Sequence, residues 1–225
     1  MTADDAEVRD VTFVVFDDHQ SLDLTGPLEV FATVTSILDG ADGYRTRVVG
    51  PAGRTEVTSS SGLRIGLDGT VEDPLPPGST LVVVGGIGTR PARRDADLVR
   101  AVDRLGARAA RITSVCTGAL LLGAAGVLDG LDATTHWSAY RELESFGATP
   151  TEERVVRRGK VITGAGVSAG IDMALTLVAE LASPLVAQAI QLGIEYDPQP
   201  PFDAGAPSKA PDEVMEQLIL QMADR

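Results

Sequence analysis

The sequence is poor in the residues that build cross-linked or metal-held frameworks: it has one cysteine and two histidines among 225 residues, and aromatics make up 4%. A single thiol excludes an internal disulfide and any multi-thiolate metal centre, and it fits a reducing compartment. With only His19 and His136 beside it, a zinc site has too few good ligands. Basic residues are scarce as well, 19 against 32 acidic ones, for a net charge of −13. No Lys or Arg cluster is long enough to follow a phosphate backbone, so nucleic acid and anionic membranes are not expected partners. Long hydrophobic runs are missing too: the richest, residues 119–127, is far short of the ~20 residues of a bilayer span. Residues 1–10 are acidic and polar, without the basic start and apolar core of a secretory signal, and a cytoplasmic location is expected.

What is present is ordinary for a globular chain, 44% hydrophobic and 23% charged. This length suffices to bury a core without staples, and one domain over residues 1–225 is expected. Residues 11–16, 80–84 and 111–115 are continuous apolar and β-branched runs, the pattern of strands buried on both faces. Residues 44–49 read as a further strand, and 154–157 with 161–163 as a hairpin around Arg158-Gly159. The Gly/Ser-rich stretch through Gly62 can hold a short hairpin or edge strands. Residues 17–21 read as a polar turn. Helical spacing predicts a helix over 27–38, with Pro27 at its first position and Gly40 and Gly43 as its stop. Further helices are predicted at 95–105, 117–125, 138–146, 169–181 and 184–195, and from about Asp212. Strands alternating with helices argue for an α/β fold, a doubly wound, mostly parallel sheet with helices on both faces. Ligands bind such sheets at the carboxyl ends of strands, so residues 17–27, 85–88 and Cys116 are expected to meet in one crevice.

Taken alone, a cysteine is more often a small buried hydrophobe than a catalyst. Cys116, however, falls where Ser114-Val115-Cys116-Thr117-Gly118 passes from strand to helix, the placement of a nucleophile elbow. A helix amino terminus there would favour thiolate over thiol. Asp23, in Leu22-Asp23-Leu24-Thr25-Gly26-Pro27, is either a capping carboxylate or an acid with a raised pKa that trades protons with a substrate. Gly85-Gly86-Ile87-Gly88 either turns the chain or lines the crevice with N–H groups. It fails the dinucleotide fingerprint at Pro91, so no nicotinamide or flavin is expected. In Thr134-Thr135-His136-Trp137 a structural histidine competes with a Cys–His dyad, and His19 reads as a solvated loop residue.

Together these motifs resemble the DJ-1/PfpI superfamily, and within it most closely the isocyanide hydratases. Ser60-Ser61-Gly62-Leu63, Ala169-Gly170-Ile171-Asp172 and Pro200-Pro201-Phe202-Asp203-Ala204-Gly205 extend the resemblance over nearly the whole chain. Peptidase-like members carry His after the cysteine, where this chain has Thr117, and the usual acid is Glu, where it has Asp23. The resemblance implies a flavodoxin-like fold and a cofactor-free hydration of an isocyanide to an N-substituted formamide. In that reaction Cys116 is the nucleophile, Asp23 the acid and base, Thr117 a hydrogen-bonding partner, and the N–H groups near Gly86 and Gly118 orient the substrate. It also implies a homodimer. A cysteine redox sensor, a ligand-sensing domain without catalysis, and glyoxalase-like aldehyde chemistry are the rival readings. AraC-type regulators carry a similar domain ahead of a DNA-binding module.

Overall fold

The structure, a computed structural model, describes residues 9–37 and 43–223. The predicted helix stop at Gly40 and the acidic residues 1–8 lie outside them. The chain divides into two compact units, Met1–Ile194 and Glu195–Arg225.

The first unit opens with strand β1 (Arg9–Val14), helix α1 (Ser21–Ile37) and β2 (Tyr44–Gly50), followed by the short strands β3 (Glu56–Thr58), β4 (Arg64–Gly66) and β5 (Gly69–Thr70). Then come β6 (Thr80–Val83), α2 (Thr89–Ala92), α3 (Ala96–Arg108), β7 (Arg111–Val115) and α4 (Gly118–Ala124). It closes with β8 (Asp132–Ala133), α5 (Tyr140–Glu144), β9 (Thr149–Pro150), β10 (Val155–Arg158), β11 (Val161–Gly164), α6 (Ala169–Leu181) and α7 (Pro184–Gly193). The second unit holds α8 (Asp212–Ala223).

Seven strands form one sheet in the order β10-β11-β7-β6-β1-β2-β5. All neighbours run parallel except β10 against β11. This is the mostly parallel, doubly wound arrangement expected. Continuous burial of β6 and of Val11–Val14 explains why those runs carry no polar alternation. β3 and β4 pair antiparallel as a hairpin that turns around Gly62, so its second strand lies beyond the stretch through Gly62 where a short hairpin or edge strands were expected. In α3, Leu98, Ala101, Val102 and Leu105 recur at i, i+3, i+4 and i+7 and are all buried. Asp95 caps that helix by accepting from the N–H groups of Asp97 and Leu98, a contact worth about 1 kcal/mol.

One boundary differs from expectation in a way that matters for the site. Helix α1 begins at Ser21, six residues before Pro27, which lies inside it. An interior proline forgoes one helical hydrogen bond. It is accepted here because Pro27 is buried, with its Cδ against the backbone of Gly170 on α6, where a glycine lets the two helices approach. Asp23 therefore sits in the first turn of α1 rather than in a loop ahead of it.

The sheet order places the functional segments. From β1 the chain runs to β2 on one side and later returns through β6 and β7 on the other, so β1 and β6 flank the point where the winding reverses. The segments leaving β1, β6 and β7 are consecutive neighbours, and they carry Asp23, Gly85-Gly86 and Cys116.

Candidate active site

At the carboxyl ends of these strands the expected convergence is found. The Gly85 N–H donates to Asp23 Oδ2 at 2.9 Å, and the Gly86 N–H donates to Thr117 Oγ1 at 2.9 Å. The loop between β1 and α1 joins in, with Gln20 N donating to Gly85 O at 2.8 Å and Gly88 N to Asp18 O at 3.0 Å. Glycine is required here. A Cβ on Gly86, which has φ +127°, would strike Gln20 N, and one on Gly118 would strike Val83 O.

Cys116 adopts φ +56°, a left-handed conformation that costs a non-glycine residue about 1–3 kcal/mol. Its neighbours hold it there. Cys116 N donates to Ala165 O at 2.8 Å, and its carbonyl accepts from Thr135 Oγ1 at 2.9 Å. The residue is 5% exposed. Asp23 is fully buried, its Oδ1 accepts no hydrogen bond of good geometry, and its carboxyl makes a looser contact with the Cys116 thiol.

Burial pushes the Asp23 carboxyl up to about 7, against the hydrogen bond from Gly85. It pushes the Cys116 thiol up to about 12, with the Asp23 charge acting the same way and N–H groups of Val167 and Thr117 acting against it. The elbow was expected to favour thiolate through the helix terminus. Desolvation wins instead, since α4 has only seven residues and the sulfur is almost wholly enclosed. Two negative charges cannot share this space, so carboxyl and thiol together retain at least one proton near neutral pH.

Thr117 ties the elbow to the glycine loop. Its hydroxyl accepts from Gly86 N, donates to Gly86 O at 3.1 Å, and lies 3.0 Å from Thr89 Oγ1. With its one proton given to Gly86, Thr89 is the donor in that last contact. The Gly86 N–H, expected to face substrate, is thus engaged by Thr117. Gly118 is the first residue of α4, packed against the end of β6.

The histidines lie apart from the thiol. His136 caps a short 3-10 turn, with Nδ1 2.7 Å from Ser138 Oγ, and among the described residues no hydrogen bond joins it to Cys116. His19 was expected in solvent and is fully buried. The β3–β4 hairpin closes over its loop: Asp18 N donates to Thr58 O and Ser60 N to His19 O, while His19 Nδ1 bonds Phe16 O at 2.8 Å. Sequence reasoning missed Val167, whose φ of +32° aims its N–H at the sulfur. The only hint was the small-residue run Gly164-Ala165-Gly166. No group of three or more His, Cys, Asp or Glu side chains that could hold a metal occurs among the described residues.

A doubly wound α/β sheet with a buried cysteine on a left-handed strand-to-helix turn, a carboxyl beside it, defines the cysteine-elbow class of α/β proteins. Within that class the chain belongs to the DJ-1/PfpI family, whose model matches residues 9–180. It is 42% identical over 213 residues to an isonitrile hydratase of Pseudomonas putida, covering 95% of this chain and 90% of that protein. A crystal structure of a THiJ/PfpI family protein from Pseudomonas syringae superposes with a TM-score of 0.89 at 40% identity, covering 97% of this chain and 87% of that one. The transcriptional regulator CdhR of Pseudomonas aeruginosa is 36% identical over 149 residues, 65% of this chain but 44% of the regulator.

Proposed function

We propose that the protein is an enzyme, an isocyanide hydratase that converts an isocyanide and water to an N-substituted formamide without a cofactor. The observation that carries this reading is the buried Asp23–Cys116 pair: it keeps a proton beside a nucleophilic atom, out of water and held in place by Gly85. An isocyanide carbon accepts a nucleophile and a proton at the same atom, and such a pair supplies both.

In this reading the sulfur bonds the terminal carbon while the shared proton is delivered to that carbon through Asp23, giving a thioimidate and a carboxylate. Asp23 then takes a proton from water as its oxygen bonds the same carbon, and the second water proton passes to nitrogen. The carbon–sulfur bond breaks, the C=O forms, and the pair regains its proton. Thr117, its hydroxyl engaged by Gly86 and Thr89, braces the elbow that carries the sulfur, and the Gly118 N–H at the head of α4 orients the reacting carbon. Near-complete burial of the sulfur disfavours the redox-sensor reading, which needs an accessible thiolate. A homodimer and a cytoplasmic location belong to the same proposal. Leu185 and Leu192, 76% and 82% exposed on α7, support the dimer, and light scattering on a sizing column tests it.

Purified protein given a simple aryl or alkyl isocyanide should yield the formamide, and Cys116→Ser should lose at least about 10³-fold in turnover with an unchanged circular dichroism spectrum. Substantial hydratase activity in that variant would remove Cys116 from the mechanism.

A further inference from the structure

The opposite edge of the sheet carries a separate, polar cleft of about 450 Å³, lined among others by Arg9, Gly78, Arg111 and Glu180. Strand register explains the assembly. Arg111 opens β7 opposite Thr80 on β6, and Thr80 in turn faces Val11 on β1, two residues after Arg9. The two arginines thus flank the start of β6 from either side, about 12 Å apart at the backbone.

Among the described residues their charges are not matched by carboxylates. Among the described residues four arginines are half-buried: Arg9, Arg47, Arg93 and Arg111. Arg47 pairs with Asp73 at 3.8 Å and Arg93 with Glu142 at 2.7 Å. Among the described residues Arg9 and Arg111 form no ion pair, and Glu180, on the cleft wall, is engaged by Arg157. Arg9 lies 5.8 Å from the centre of the Tyr44 ring. The Tyr44 hydroxyl is buried without a hydrogen bond of good geometry but makes a looser contact with the Arg9 guanidinium, and after its own burial the charges of Arg9 and Arg111 act on it. Two guanidiniums partly stripped of water with no carboxylate partner among the described residues, in a chain of net charge −13, leave donors that a planar or tetrahedral oxyanion satisfies bidentately.

We propose that this cleft binds a small oxyanionic dianion, a phosphate-bearing or dicarboxylate metabolite, with Arg9 and Arg111 as its ligands. It lies at the amino ends of strands whose carboxyl ends carry Cys116, so its occupancy does not compete with substrate there.

Calorimetric titration at low ionic strength tests this, with inorganic phosphate in one arm, succinate in the other, and sodium chloride at matched ionic strength as the control. At least one dianion should bind saturably and raise the unfolding temperature where chloride does not. The arm that responds identifies the source of the oxyanion. Arg9→Gln and Arg111→Gln should each weaken that binding at least tenfold while formamide turnover stays unchanged. Because Arg111 begins a central strand, Arg111→Lys serves if the Gln variant does not fold: it keeps the charge but loses the bidentate fork, and should still weaken binding several-fold. No saturable binding in either arm beyond the chloride control, or binding unchanged in both the Arg9 and the Arg111 variants, overturns the proposal.

Discussion

The two edges of the parallel sheet solve opposite problems. At the carboxyl edge the backbone is drawn so tightly around Cys116 that Gly86 and Gly118 have no room for a methyl group, and the titratable groups are sealed from water. At the amino edge Gly78 also has a positive φ, +79°, yet nothing lies within 4 Å of where its Cβ would stand. There Arg9 and Arg111 are half-buried and, among the described residues, lack a carboxylate partner rather than space. A left-handed glycine thus means close approach at one edge and only a turn at the other.

Four substitutions or measurements sharpen that contrast. Gly118→Ala should be the most damaging, because its Cβ would overlap Val83 O and stand 2.9 Å from Val84 O, main-chain atoms of a central strand and its exit that cannot swing aside. A loss of about 4 kcal/mol and of 10 °C or so in the unfolding temperature is expected by calorimetry. Next is Asp23→Asn. The native carboxyl titrates at about 7 and the unfolded one near 3.8, so the folded state holds a proton that the unfolded chain has released between those values. Stability is complete below pH 4, falls as pH rises towards 7, and is level beyond. Asn cannot ionise, so the melting temperature of the variant relative to the parent should climb by several degrees from pH 4 to 7 and then stay constant. A flat difference would mean that the carboxyl ionises normally in the fold.

On the kinetic side, kcat/KM for formamide formation should rise through pH 7, as the pair goes from two protons to one, with no fall before about pH 10. Gly78→Ala should have the smallest effect, about 1–2 kcal/mol from the left-handed backbone alone, with turnover retained.

Much of this architecture was legible from residue order. The runs at Val11, Thr80 and Arg111 announced buried parallel strands, and the rule that ligands gather at strand carboxyl ends brought Asp23, Gly85 and Cys116 together from the sequence alone. Local patterns did not reveal which strand lies between which, and that decides why Gly85, leaving β6, bridges the segments leaving β1 and β7. His19 was misread for a related reason: its burial depends on a hairpin some forty residues away. Pro27 misled because its cost inside a helix is local, whereas its contact with Gly170 is tertiary. The enclosure of the Cys116 sulfur, which opposes the thiolate that a helix terminus favours, was not legible, because a helix terminus can be seen in sequence and burial cannot.

The positive φ at Cys116 has a consequence for anyone reshaping this protein. Glycine is the residue whose backbone is at ease there, yet a glycine would remove the sulfur. A library ranked only by heat tolerance would therefore be drawn toward variants in which the turn has relaxed and the chemistry has gone, so heat tolerance and turnover must be scored together at this position.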